Sequence, residues 1–248
     1  MIFTLLLCSA FGYLIGSVPV GFLLTRWAGM GDLRAVGSGN IGATNVLRTG
    51  SVKLAALTLG LDMAKGLVTV ILSMYIIKGL MPFADGLNAI CARPNHVTDM
   101  FYDPCGYTAG QMEYVLFLAG AFAVIGHMFP IWLQYKGGKG VATFFGMMIA
   151  FSTQVGLLAV GTWLVVAIIT KRSSLAALVS VALTPVYMAL LMLDEVLTLF
   201  SNTPTVYSAE SMMPILGTVA LSILIFYRHR ENIVRLMAGT EPKIRVHA

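Results

Sequence analysis

The sequence predicts an all-α, polytopic membrane protein, and three observations carry that prediction. Of its 248 residues, 58% are hydrophobic and only 11% are charged, where a soluble domain carries roughly 25% charged residues. The apolar residues gather in runs near the roughly 20 residues that cross a bilayer as a helix. The charges between those runs sort by sign, which gives the chain two sides. Mean hydropathy is +0.84.

The runs fall at about 1–25, 54–78, 114–133, 141–170, 174–200 and 211–227. The first lacks a basic leader and is interrupted by Gly16 and Pro19, so it is expected to be a permanent span rather than a cleaved signal. The segments at 26–53, 134–140, 171–173 and 228–248 carry the basic residues, among them Arg26, Arg48, Lys136, Lys139, Lys171, Arg228 and Arg235. Segment 79–113 and the region around 194–210 are acidic, with Asp85, Asp99, Asp103, Glu113, Asp194, Glu195 and Glu210. The basic group is therefore expected on the cytoplasmic side.

Parity then decides the long run 141–170, whose middle holds Ser152, Thr153, Gln154 and Gly156. Both of its flanks are basic, so an even number of crossings separates them. Two short spans give seven transmembrane helices, with the N-terminus outside and the C-terminus cytoplasmic. A single re-entrant hairpin there gives five full spans and keeps the same sidedness. The chain reads as one domain over 1–248, with an inserted outer, periplasmic loop at about 79–113. Cys91 and Cys105 share that loop; an outside location permits a disulfide between them, and one is expected.

Three polar clusters lie on the basic side. The first, GSGNIGATNVLR over 37–48, contains G-x-G-x-x-G. A dinucleotide loop of that spacing follows a strand and opens a helix in a βαβ unit. Here a membrane span precedes it, so the dinucleotide reading fails. The glycines still suit an anion-binding nest, with Ser38, Asn40, Thr44 and Asn45 as neutral donors and Arg48 as a fork for phosphate. The second cluster, GHMFPIWLQYKGGKGVAT over 126–143, surrounds Lys139 with Gly137, Gly138 and Gly140. It is not a Walker A loop, because Lys139 is followed by glycine. His127, two turns inside its span, is a functional candidate, since ionisable groups in a span are costly. The third cluster, YRHRENIVRLMAGTE over 227–241, reads as a juxtamembrane helix with Arg228, Asn232 and Arg235 on one face. Asp62 and Lys65 lie at i, i+3 within an apolar run, and are expected to support the glycine loop.

Together the clusters offer too many anion donors for one monoanion and imply two phosphorylated ligands beside lipid. No group of carboxylates, cysteines or histidines has metal-ligand spacing, so neither a metal nor another cofactor is expected. Net charge is +5, which the positive-inside bias explains without a nucleic-acid partner. The rival classes are an organic-anion transporter, which needs polar paths to both faces, and a lipid-binding scaffold, which leaves the two glycine loops without a purpose.

The three clusters, with Asp62 to Gly66 as a DxxKG element, closely resemble the signature motifs of the bacterial acyl-phosphate:glycerol-3-phosphate acyltransferase family, PlsY. The resemblance runs through 1–78 and 114–241 and departs at 79–113. It implies attack of the glycerol 3-phosphate 1-hydroxyl on an acyl phosphate, giving lysophosphatidic acid and inorganic phosphate, the first acylation of phospholipid synthesis. The enzyme would lie in the bacterial inner membrane, its site facing the cytoplasm, and a monomer would suffice. Ser38, Arg48 and Lys139 are then expected to bind phosphate with the 37–45 and 137–140 backbones as donors. Asn232 and Arg235 would complete the glycerol 3-phosphate pocket. His127 would orient or deprotonate the hydroxyl, unless a phosphate oxygen of the substrate takes the proton.

Overall fold

The computed structural model describes residues 2–37, 39–88, 109–199 and 212–244. Every regular element among them is helical. Helix α1 (Ile2–Ser17) stops before Pro19, which has no N–H to continue the ladder, and α2 (Val20–Trp27) resumes after it. A glycine-rich loop leads to the short α3 (Ala43–Arg48) and then to α4 (Val52–Asn88). Helix α5 (Ala109–Met128) ends just before Pro130. Helices α6 (Val141–Phe151) and α7 (Thr153–Thr170) are separated by Ser152 alone, which is extended at φ −142°. Helix α8 (Ser173–Leu199), α9 (Met213–Arg228) and α10 (Arg230–Met237) follow.

Five segments are long and apolar enough to cross a membrane: Ile2–Trp27, Val52–Ile77, Met112–Leu133, Thr153–Thr170 and Ser173–Leu191. Two shorter apolar helices, Val141–Phe151 and Met213–Arg228, accompany them. The run 141–170 is thus two helices, divided at Ser152. Its first half, at 11 residues, is shorter than the roughly 20 of a full crossing. The helices also reach into the expected outer loop from both ends, α4 to Asn88 and α5 from Ala109. Cys91 and Cys105, and the disulfide expected between them, lie outside the described residues.

Glycines set the closest helix crossings. A Cβ on Gly66 of α4 would stand 2.0 Å from Thr143 O, and one on Gly146 of α6 would stand 1.8 Å from Met63 O. Small residues let backbones meet where lipid gives no hydrophobic drive to pack. Between these helices Val124, Met128, Phe144, Met147, Met148, Val155, Val181 and Ile225 form the main apolar core. Pro185 sits inside α8 and leaves the Val181 carbonyl without its helical donor. The Ser222 hydroxyl of α9 lies 3.0 Å from that carbonyl and 2.7 Å from Thr218 O of its own helix, so its one proton is shared between the two.

Candidate active site

The first glycine loop is shaped by its own residues. Gly37 and Gly39 hold φ of +58° and +67°, a region that L side chains avoid. Asn45 is buried, and its Nδ2 donates to Leu33 O at 3.0 Å and Val36 O at 2.9 Å. Both amide protons are therefore engaged in lacing the loop, which corrects the expectation of Asn45 as a phosphate donor. Asn40 Oδ1 accepts from Gly42 N at 3.2 Å. Thr44 Oγ1 lies 3.3 Å from Ser173 Oγ, at the start of α8. Arg48, in the last turn of α3, lines the cavity described below. Ser38 lies outside the described residues.

The second loop departs from expectation more sharply. Gly137 N–H donates to Met128 O at 3.2 Å, and Gly138 N–H donates to His127 O at 3.0 Å. Arg228 holds the opposite edge: Nη2 donates to Gly137 O at 2.8 Å and Gly138 O at 3.0 Å, and Nε donates to Gly138 O at 3.2 Å. With both amides bonded to the end of α5, Gly137 and Gly138 are not free anion donors. They are a tight backbone clamp that projects Lys139. Lys139 Nζ donates to Asn232 Oδ1 of α10. Burial pushes its pKa down to about 8, against the nearby Glu241 carboxylate and with Arg235 and Arg48 adding to the depression.

The third cluster is not one continuous helix. The chain turns at His229 between α9 and α10, so Arg228 points to the glycine clamp while Asn232 and Arg235 turn elsewhere. Both meet Glu241: Asn232 Nδ2 donates to Oε1 at 2.6 Å and Arg235 Nε donates to Oε2 at 2.7 Å. Ser174 Oγ donates to Oε1 at 2.7 Å. The expected phosphate ligand Arg235 is thus neutralised by Glu241 and is not among the cavity-lining residues. Past Glu241, Ile244 N–H donates to Lys171 O at 2.7 Å, which straps this segment along the start of α8. His229 is buried and donates through Nδ1–H to Ile225 O at 2.8 Å. Burial, with Lys139 nearby, lowers its pKa to about 4. Its Nε2 is therefore an acceptor at neutral pH.

Asp62 and Lys65 of α4 meet His127 of α5 at the foot of the break between α1 and α2. Lys65 Nζ lies 2.7 Å from Asp62 Oδ1 and 3.1 Å from His127 Nδ1. It also donates to Val18 O at 2.8 Å and Gly16 O at 3.3 Å. Gly16 O loses its helical donor at the break, because Val20 N–H turns to Val18 O at 3.0 Å, and Val18 O accepts from both Val20 and Lys65. The ammonium is 7% exposed and fully partnered, as a buried cation must be.

These elements enclose a cavity of about 560 Å³. Lys139, Arg48, Asn232, His229, Glu241, Lys243, Asp62 and His127 are its polar lining. Leu59, Met63, Phe145, Val160, Trp163 and Leu164 line its apolar part. Leu164 is half exposed. The cationic groups suit an anion, and the apolar wall suits a long hydrocarbon. The sequence reading passed over Ser173, Ser174 and Glu241. The signal that could have found Glu241 was an acid set among Arg228, Arg230, Arg235, Lys243 and Arg245.

Residues 6–239 match a family model described as glycerol-3-phosphate acyltransferase. A glycerol-3-phosphate acyltransferase of Rhodospirillum rubrum is 42% identical over 96% of this chain and 89% of its own length. One from Mesorhizobium japonicum is 40% identical over 98% of each chain. The crystal structure of PlsY (YgiH), an integral membrane glycerol 3-phosphate acyltransferase in its glycerol 3-phosphate form, superposes with a TM-score of 0.69. It is 29% identical, with 97% of this chain and 96% of that one covered. The lysophosphatidic acid form of the same protein gives 0.66 at 28% identity, over 98% of this chain and 96% of that one.

Proposed function

Because this chain belongs to the glycerol-3-phosphate acyltransferase family, we propose that it moves an acyl group from acyl phosphate to the 1-hydroxyl of glycerol 3-phosphate. The hydroxyl oxygen bonds to the acyl carbon, and the bond from that carbon to the phosphate oxygen breaks. The hydroxyl proton leaves on a phosphate oxygen. Lysophosphatidic acid and inorganic phosphate result, as the first acylation of phospholipid synthesis. A mixed anhydride is already activated, so positioning and charge neutralisation supply the catalysis without an acyl-enzyme.

The observation that carries this reading is the mixed lining of the cavity, with the cations Lys139 and Arg48 and the apolar Phe145, Val160 and Trp163 in one chamber. Lys139 and Arg48 take phosphate, joined by Ser38 on the strength of its motif position. Asn232 and the Nε2 lone pair of His229 hold the glycerol hydroxyls. Thr44 and Asn40 shape the loop side of the pocket. The acyl chain lies along the apolar wall, and the enzyme needs no cofactor and works as a monomer. The basic loops favour a bacterial inner-membrane enzyme with its N-terminus outside and its cavity facing the cytoplasm. That sidedness holds for seven spans and for five with a hairpin at α6 and α7.

The test is release of inorganic phosphate from palmitoyl phosphate by the purified protein, with palmitoyl-CoA as the parallel donor. Release that requires glycerol 3-phosphate and yields lysophosphatidic acid supports the proposal. Turnover with palmitoyl-CoA alone would overturn the donor assignment. Lys139→Ala is expected to lower kcat/KM by about 100-fold or more in protein that still folds.

A further inference from the structure

Histidines aside, the charged groups that line the cavity are Arg48, Lys139, Lys243, Asp62 and Glu241. The two carboxylates are already met by cations that are not part of the lining, Asp62 by Lys65 at 2.7 Å and Glu241 by Arg235 at 2.7 Å. Arg48, Lys139 and Lys243 are then the charge that a ligand meets. Each phosphate brings about −1.5 to −2 near pH 7, so two phosphorylated substrates bring about −3 to −4. Arg48 and Lys139 together balance only about half of that.

The backbone presents Lys243 to the cavity in a fixed way. Gly239, at φ +70°, turns the chain back after α10, and Arg235 O accepts from both Thr240 N–H at 2.8 Å and Glu241 N–H at 3.1 Å. The Glu241 carboxylate is held by Ser174, Asn232 and Arg235. Pro242 fixes its own φ, and Ile244 N–H donates to Lys171 O at 2.7 Å. The chain is thus tied down on both sides of Lys243. Its side chain is exposed and has no hydrogen-bond or ion-pair partner among the described residues. Arg228, Arg235 and Lys65, by contrast, are each committed to oxygens of the protein.

We infer that Lys243 is a third phosphate-binding cation of the cavity, taking the place that the motif suggested for Arg235, with Glu241 and Ile244 as the anchors that position it. Its partner is the phosphate dianion of a substrate. A hydrated, exposed ammonium strengthens capture rather than the chemical step, so the effect falls on KM. The presence of two phosphates rests on the acyltransferase reading, whereas the anchoring of Lys243 does not.

The experiment is steady-state kinetics of Lys243→Gln and Lys243→Arg with glycerol 3-phosphate and palmitoyl phosphate varied in turn. Lys243→Gln is expected to raise KM for one substrate by about 3- to 10-fold, with kcat within about 2-fold of the parent. Lys243→Arg keeps the charge and is expected to restore that KM to within about 2-fold. A rise for glycerol 3-phosphate assigns Lys243 to the acceptor, and a rise for palmitoyl phosphate assigns it to the donor. No rise for either overturns the inference. Lys53→Gln is the control, since Lys53 is exposed, does not line the cavity and carries the same charge. An equal rise there would reduce the effect to net charge and also overturn it. Ile244→Pro removes the anchoring N–H and leaves Lys243 in place. It is expected to raise the same KM, and the double variant is expected to be no worse than Lys243→Gln alone. Additive effects would remove the anchoring role. Calorimetric titration with glycerol 3-phosphate and with inorganic phosphate needs no acyl donor. Binding that weakens in Lys243→Gln, in protein that turns over no acyl phosphate, would support the cation and refute the acyltransferase reading. Turnover with KM values indifferent to Lys243 would do the reverse.

Discussion

Asn232 donates through Nδ2 to Glu241 Oε1 at 2.6 Å, and this bond decides which way its amide faces. With the nitrogen committed to the carboxylate, Oδ1 is left for Lys139. Burial alone would raise the Glu241 pKa, but hydrogen bonds from Ser174, Arg235 and Asn232 outweigh it and hold the carboxyl below 4.5. A carboxylate with a depressed folded pKa contributes stability that is present above the unfolded value and is lost as pH falls through the folded one. Glu241→Gln offers only one acceptor oxygen to three donors. It is expected to cost about 1–3 kcal/mol of stability, raise KM for glycerol 3-phosphate, and shrink the loss of stability below pH 4.5. Thermal unfolding against pH and steady-state kinetics check all three.

Burial holds the Lys139 pKa down to about 8, and a bound phosphate favours its charged form. KM for glycerol 3-phosphate is therefore expected to rise as pH climbs above about 8. Lys139→Arg, which stays charged across that range, is expected to remove the rise while altering its baseline. The folding linkage has its own sign. A lysine with a lowered folded pKa carries a penalty that is full below about pH 8 and fades toward its ordinary value of 10.5. A KM that stays flat in the parent between pH 7 and 10 would remove Lys139 from the phosphate site.

Arg228 reaches two carbonyls with a planar fork, a geometry that lysine does not reproduce. Arg228→Lys is expected to loosen the clamp beneath Lys139 and raise KM for glycerol 3-phosphate about 10-fold, with a smaller effect on kcat. Binding of glycerol 3-phosphate by calorimetry in detergent separates this from a change in chemistry.

Gly146→Ala and Gly161→Ala make a matched pair. At Gly146 the new Cβ meets the Met63 carbonyl, whereas nothing stands within 4 Å at Gly161. The first is expected to push α4 from α6 and cost about 1–3 kcal/mol. The second replaces glycine in an open helix position and is expected to stabilise by up to about 1 kcal/mol. Tm of the two variants in one detergent decides it.

The length of the apolar runs and the charge between them made the apolar helices legible, and the polar residues Ser152, Thr153 and Gln154 marked where the run 141–170 divides. The site was legible as a set of polar residues but not as a set of free valences. Gly137, Gly138 and Asn45 look like donors in the sequence. Their protons are used inside the protein, which only the folded path of the backbone reveals. Glu241 and Ser174 lie 67 residues apart in sequence and meet only through the fold. Ser38 was singled out from its motif, and the described residues do not include it.

The cavity draws its walls from Asn40 at one extreme and Ile244 at the other, and that has a consequence for synthesis. Elements enter the membrane in the order in which the ribosome makes them, so the anchoring of Glu241 and Ile244 comes last. Until then Asn232 has no Glu241 to turn its amide, and Lys171 O has no partner from Ile244. A chain halted before 241 would insert its helices and still lack a finished chamber. The cavity is finished only once residues 241 and 244 have been made, so a chain truncated before Glu241 is expected to insert and to lack acyltransferase activity.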